Sequence, residues 1–243
     1  MERLADRPEM LDGPLDDRPA LIGNLRDLRR MNRLVGGTSL SRRALDALVR
    51  GRAVPAETAI SLVDVGTGAA DIPAALIADA RRRGRRLTVV ATDSRAEVLD
   101  AAVALDPTLA TIDGLTFRVS DGRSLPFDDA TFDVAHASLV IHHLEPDAAV
   151  AFLAELRRVA RVGVVVNDLL RSRLTWVGAI LLSRAVTRNR LSRNDAPLSA
   201  RRAYTEREME GLLAAAGLEP IARFRGFARH RIAIAAKPRD RSA

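Results

Sequence analysis

From Ser61 onward the chain alternates short apolar runs with longer amphipathic stretches. Leu62-Val63-Asp64-Val65, Leu87–Thr92, Leu115–Val119, Thr131–Ser138 and Val162–Val166 are rich in β-branched and apolar residues, the composition of strands buried on both faces. The intervals between them carry helical patterns. Residues 73–83 and 95–105 are rich in Ala, Leu and Arg, and over 147–161 Ala149, Phe152, Leu153, Leu156 and Val159 fall on one face. Strands and helices alternating at this spacing predict right-handed crossovers in an α/β fold with a parallel sheet. A last helix is predicted over 205–216, opened by the capping box Thr205-Glu206-Arg207-Glu208 and closed by Gly217. Strands near 218–226 and 229–236 finish the sheet.

Outside this alternation three segments read differently. Residues 1–18 hold Pro8, Gly13, Pro14 and several acids without a period, and are expected to run irregularly over the surface. Residues 20–50 are predicted helical, with Leu21, Leu25, Leu28, Leu34, Leu40, Leu45 and Leu48 near helical spacing and a break at Gly36-Gly37. Between the fifth strand and the late helix lies an insertion over 169–203, with the apolar run Leu174–Leu182 set between Arg173 and Arg184. That run is well short of the ~20 residues needed to cross a bilayer. It is read as a lid helix, either packed on the domain or forming an apolar wall for a substrate; a peripheral membrane contact through an Arg-flanked apolar helix is a third reading.

At 243 residues and 47% hydrophobic content the chain suits a single domain over 1–243 with elaborations: a helical cover over 1–50, a core over 60–168, the insertion, and a closing helix and strands over 204–236. The absence of cysteine excludes disulfides and thiolate metal sites and fits a reducing, cytoplasmic setting. The four histidines are scattered in sequence, so no metal site is expected. Glu2, Arg3, Arg7 and Glu9 interrupt the N-terminus, and no signal peptide is expected. A net charge of +7 invites a nucleic-acid partner. All but one of the 38 basic residues are arginine, however, Lys237 being the exception. With abundant alanine, that bias is compositional, and it argues against nucleic acid as the partner.

The chemistry concentrates where strands end. Leu62 to Asp71 takes an apolar strand into Gly66-Thr67-Gly68 and then an acidic helix start. A dinucleotide fingerprint would place Gly or Ala at position 71, whereas Asp71 there would repel a pyrophosphate. Asp64 and Asp71 suit a cationic ligand offering hydrogen-bond donors, such as S-adenosylmethionine. Asp93, followed by Ser94, closes the second strand, placed to accept from both ribose hydroxyls; Asp121 after the third strand is placed for the adenine amino group. With the Asp121–Phe127 stretch and Phe132-Asp133, these pieces cover roughly residues 60 to 168, in an order and spacing that resembles the class I S-adenosylmethionine-dependent methyltransferases. Within them the chain looks like the small-molecule branch typified by ubiquinone and menaquinone biosynthesis.

The resemblance implies a Rossmann-like, mostly parallel seven-stranded sheet in the order 3-2-1-4-5-7-6, the last strand antiparallel. It also implies a loop of Asp64, Gly66, Thr67, Gly68 and Asp71 for the methionine side, Asp93 and Ser94 at the ribose, Asp121 and Gly122 at the adenine, and Ser138 on the wall. Asp27–Gly37 is implied as a cover over cofactor and substrate, the alternative being a hairpin packed on the sheet edge. Methyl transfer is an in-line displacement in which positioning supplies much of the rate and the nucleophile's proton needs a base. His143 and His142, just after strand four, are the candidates, or else line the substrate; His136, inside the strand, is expected to be a core residue. Asn167, Arg171, Trp176 and Tyr204 are candidates for binding substrate. No Asn-Pro-Pro-Tyr-like tetrapeptide follows strand four, and no cysteine is present for cysteine-dependent RNA methylation. The expected activity is methylation of a hydroxyl or activated carbon of a small aromatic or polyketide- or quinone-like acceptor. RNA methylation and a catalytically silent cofactor-binding subunit are the rival readings.

Overall fold

The computed structural model describes residues 1–5, 7–50 and 59–239. Two helices come first, Arg18–Leu34 (α1) and Gly37–Arg50 (α2). The Asp17 carboxylate caps α1 by accepting from Ala20 N, with proline in the first turn. Gly36, at φ +81°, makes the turn between the helices, a conformation that Gly reaches without strain. The chain then alternates through Ile60–Val65 (β1), Asp71–Arg82 (α3), Leu87–Asp93 (β2), Ala96–Leu105 (α4), Leu115–Val119 (β3), Phe132–Ser138 (β4), Pro146–Val159 (α5) and Ala160–Leu169 (β5). Arg173–Val186 (α6) and Arg190–Arg202 (α7) form the insertion, and Glu206–Ala215 (α8), Leu218–Arg225 (β6) and Arg231–Pro238 (β7) complete the chain.

The strands pair in the order β3-β2-β1-β4-β5-β7-β6. β1 to β5 run parallel and β7 runs antiparallel to both neighbours. The period of two along each strand divides the apolar residues between two cores. Val63, Val65, Ala135, Ala137, Val164 and Val166 pack with α5 and α8, while Leu62, Val134 and Val165 face α1, α2 and α3. Both faces are covered, which is why the central strands read as unbroken apolar runs.

Two segments depart from the sequence reading. Residues 1–17 do not simply run over the surface. Met10–Asp12 form a 3-10 turn, Glu9 is buried, and the N–H groups of Met10 and Leu11 donate to the Asp195 carboxylate on α7 at 2.8 and 3.0 Å. The tether is polar and therefore left no apolar period to read. In the insertion, α7 joins α6 as a second helix, capped by Asn189. On α6 the buried residues are Thr175 and Ser183, whereas Leu174 and Leu181 are more than 60% exposed. Leu174, Val177 and Leu181 of the apolar run thus face outward, Trp176, Ile180 and Leu182 are half-buried, and no residue of α6 lines the cleft at the C-terminal ends of β1, β2 and β4.

A buried network crosses the sheet near the C-terminal ends of its parallel strands. Arg231, 2% exposed, donates from Nε to Asn167 Oδ1 (2.6 Å), and from its other nitrogens to Asn32 Oδ1 (2.8 Å) and Ser138 Oγ (2.6 Å). Burial draws its guanidinium down to a pKa of about 10. Replacing Arg231 with Met leaves two buried acceptors, Asn32 and Asn167, and the half-buried Ser138 hydroxyl without their donor. At roughly 1–3 kcal/mol per buried orphaned group, the expected loss is at least about 2 kcal/mol, read by urea unfolding.

Candidate active site

The loop after β1 is shaped by close approach. Gly66 sits at φ +72°, and a Cβ there would lie 2.5 Å from Val140 Cγ2. Gly68, at φ +53°, donates its N–H to Asp93 Oδ2 at 3.2 Å. Ala70 and Leu139, at φ +51° and +58°, bracket the same region without being glycine. Such backbone costs of order 1–3 kcal/mol each and collects at binding sites. The Thr67 hydroxyl is buried with no hydrogen-bond partner among the described residues.

These elements line a cleft of about 340 Å³ at the C-terminal ends of β1, β2 and β4. It gathers Asp64, Gly66, Thr67, Gly68, Asp71, Asp93, Ser94 and Ser138, and His143 stands at its edge. Asp121 and Gly122 are placed outside this lining. The Asp121 carboxylate is exposed and held by the Arg123 guanidinium at 2.7 Å, and a Cβ on Gly122 would press on Phe152 and Val65. The four expected substrate residues also lie elsewhere. Asn167 is buried in the Arg231 network, Arg171 pairs with Glu208 at 2.7 Å, Tyr204 donates its hydroxyl to Leu144 O, and Trp176 sits half-buried on α6. Each is committed to packing or to a polar tie that a single sequence does not reveal.

Residues 63–166 match the family model of the methyltransferase domain. These residues form a methyltransferase domain. A sequence comparison with curated proteins finds no match. Among solved structures, the methyltransferase is similar to a SAM-dependent methyltransferase from Aquifex aeolicus at 20% identity and TM-score 0.61, covering 88% of this chain and 97% of that one. It is similar to human N-acetylserotonin methyltransferase in complex with SAM at 14% identity and TM-score 0.66, covering 95% and 61%. An O-methyltransferase family 2 protein from Planctomyces limnophilus in complex with apigenin gives 19% identity and TM-score 0.61, covering 92% and 62%. The chain thus spans about three fifths of the last two, and these likenesses are likenesses of fold.

The cleft of the methyltransferase fits its cofactor. Burial pushes the carboxyl groups of Asp71 and Asp93 above their ordinary pKa, so a cationic sulfonium placed beside them recovers electrostatic energy that burial took away. The glycine loop leaves room for backbone contact, and the unpartnered Thr67 hydroxyl offers a polar group to a ligand. Asp64 and Asp71 are ends of one hydrogen-bonded path. Asp64 accepts from His136 Nδ1; His136 Nε2 accepts from Ser41 Oγ at 2.8 Å; Ser41 accepts from Asn167 Nδ2 at 2.7 Å. Arg231 then joins Asn167 to Asn32, which donates to Asp71 at 3.2 Å. His136 is therefore the polar core residue its strand position suggested.

At the edge of the cleft stands a second polar cluster. His142 is buried behind the wall, its Nδ1 donating to Asp168 Oδ1 at 2.6 Å, while His143 Nδ1 lies 2.9 Å from Asp12 Oδ1. Both rings turn toward Glu9, whose carboxyl is pushed up to about 7 by burial. Separation in sequence had set the histidines apart from any shared site; the fold adds Glu9 to an adjacent pair. Leu11, Asp12, Leu25, Leu28, Asn32 and Arg95 also line the cleft and were missed, since nothing local marks them. Arg95 carries a faint signal, as a cation directly after Asp93-Ser94. Its guanidinium holds the carbonyls of Leu11 and Gly13 at 3.2 and 2.6 Å and draws the N-terminal segment over the cleft. In the methyltransferase, Asp93→Ala removes the acceptor assigned to the ribose, and S-adenosylmethionine affinity by calorimetry is expected to fall about 30-fold or more, at ~2 kcal/mol for hydrogen bonds to a charged group.

Proposed function

We propose that the methyltransferase moves the methyl group of S-adenosylmethionine to a hydroxyl or an activated carbon of a small, largely apolar acceptor, aromatic or polyketide- or quinone-like. The observation that carries this reading is the mixed lining of the cleft. Beside the carboxylates it holds the apolar side chains of Leu11, Leu25, Leu28, Val98 and Val140, together with the ionisable pair His143 and Asp12. A small apolar molecule oriented by one polar group fits such a lining.

The cofactor supplies an electrophilic methyl on a sulfonium. Asp64, Asp71 and Asp93 hold and orient the donor, with Gly66 and Gly68 giving backbone room and Thr67, Ser94 and Ser138 polar contacts. The N-terminal turn and α1 lie over the cleft and limit water, so that alignment of acceptor and donor supplies much of the rate. The acceptor's proton is lost at the corner of His143, which faces the cleft; His142, buried on Asp168, positions it. The relatives that hold apigenin or are named for N-acetylserotonin support a small acceptor by analogy of fold.

A labelled-methyl assay of the purified protein against small-molecule and RNA fractions of a cell extract tests the reading. Label is expected in the small-molecule fraction. In the same assay His143→Ala is expected to lower turnover by about 100-fold or more while cofactor affinity stays within about 3-fold. Label confined to RNA, or full turnover in His143→Ala, overturns the proposal.

A further inference from the structure

We infer that Glu9, His142 and His143 form a site for one divalent transition-metal ion of the zinc kind, set at the edge of the cofactor cleft. Three independent features of the cluster point there.

The first is spacing. His142 Nε2 lies 3.7 Å from Glu9 Oε1, and His143 Nε2 lies 3.9 Å from Glu9 Oε2. One donor atom from each of the three residues falls within 4.8 Å of the others. These separations are too long for hydrogen bonds. Around a tetrahedral ion with bonds of about 2.0–2.1 Å, neighbouring donors stand about 3.4 Å apart, so the two Glu9 contacts shorten by a few tenths of an ångström on loading and the widest donor pair by up to about 1.4 Å.

The second is what lies behind the rings. Asp168 accepts from His142 Nδ1, and Asp12 lies 2.9 Å from His143 Nδ1. A proton held at Nδ1 by a carboxylate leaves Nε2 with a free lone pair, the arrangement that orients metal-binding imidazoles and raises their basicity. His142 is so backed, while His143 Nδ1 stands near Asp12 without a hydrogen-bond partner among the described residues; both rings aim at one carboxylate, which packing alone does not explain.

The third is Glu9 itself. It is 4% exposed, and its side-chain oxygens receive one hydrogen bond among the described residues, from Ser199 Oγ to Oε1 at 2.8 Å. The neighbouring cation, Arg202, spends its donors on the carbonyls of Arg7, His142 and His143 and on Asp12. A carboxylate withdrawn from water without a counter-charge is costly, and a bound dication answers that cost. Two imidazoles and one carboxylate suit zinc with an open fourth position, and the nitrogen donors disfavour calcium and magnesium.

Such an ion fastens the N-terminal segment, which carries Glu9, to the turn after β4, which carries both histidines. Its further use rests on the methyl-transfer reading. With His143 as a ligand its Nε2 cannot also take the acceptor's proton. In the metal-loaded protein the corner therefore meets the acceptor through the metal's open position, which selects an oxygen acceptor that can itself bind there, and the imidazole acts as base only in the metal-free protein.

The test uses the full-length protein, stripped by chelator dialysis and titrated with Zn(II) against a chromophoric competitor. One ion per chain is expected, together with a rise in melting temperature on adding Zn(II). Glu9→Gln and His142→Ala are each expected to weaken binding by about 100-fold or more and to abolish that rise, while His230→Ala changes neither. Glu9→Gln conserves volume, and its circular dichroism and S-adenosylmethionine affinity report that the fold is kept, so it carries the test if His142→Ala does not fold. Absence of stoichiometric zinc binding, or undiminished binding in Glu9→Gln, overturns the site. Neither result touches cofactor affinity, which tests the methyl-transfer reading separately.

Discussion

The site depends on one buried path of hydrogen bonds running from Asp64 through His136, Ser41, Asn167, Arg231 and Asn32 to Asp71. Each member sits where charge or polarity is expensive, and each is tolerable because the next one satisfies it. The direction of the path is set by its chemistry. Asn167 donates through its amide nitrogen to Ser41, which turns the serine proton onto His136 Nε2 and leaves the proton on Nδ1 to face Asp64. Two carboxylates on opposite sides of the glycine loop are thereby held by one Arg231 guanidinium at the start of β7. A strand contributed last by the chain thus orients a loop contributed early.

The parallel order of the strands creates the crevice, and the N-terminal segment completes it. β1 and β4 are neighbours whose following connections diverge to opposite faces of the sheet, the geometry at which α/β proteins bind ligands. Left alone, that crevice is open to water. α1 lays Leu25, Leu28 and Asn32 along it, and α2 packs beneath the sheet, so the two halves of one helical hairpin divide the work of cover and core. The first residues are then pinned from two directions: Asp195 on α7 takes the N–H groups of Met10 and Leu11, and Arg95 takes the carbonyls of Leu11 and Gly13. The insertion therefore serves the site through its polar second helix, while Leu174, Val177 and Leu181 of α6 point outward.

Local order in the sequence carried the scaffold a long way. Alternating apolar runs, the Gly36-Gly37 break, the Thr205 capping box and Gly217 all correspond to elements found, because strand burial, helix faces and caps are properties of residues a few positions apart. The strand-terminal acids Asp64 and Asp93, with Asp71 at the start of α3, were legible for the same reason: each directly borders an apolar run or a glycine turn. Less was legible where a residue's role depends on a distant partner. Asn167 and Tyr204 looked available for substrate from their positions, yet each is consumed by a tie spanning 60 residues or more. Leu174–Leu182 looked like a wall because its composition is apolar, but Thr175 and Ser183 form the side that packs.

What the sequence determined by itself, then, was the α/β alternation, the glycine loop and the acids at the strand ends, since short-range periodicity and turn chemistry dictate them. Tertiary structure alone decided which polar side chains meet. It brought Glu9 and Asp12 from an aperiodic N-terminus against His142 and His143, and it set Arg231 beneath Asn32 and Asn167. The physical reason is that a buried polar group must find its partner wherever the chain returns to the same point in space, and that return has no signature in neighbouring residues.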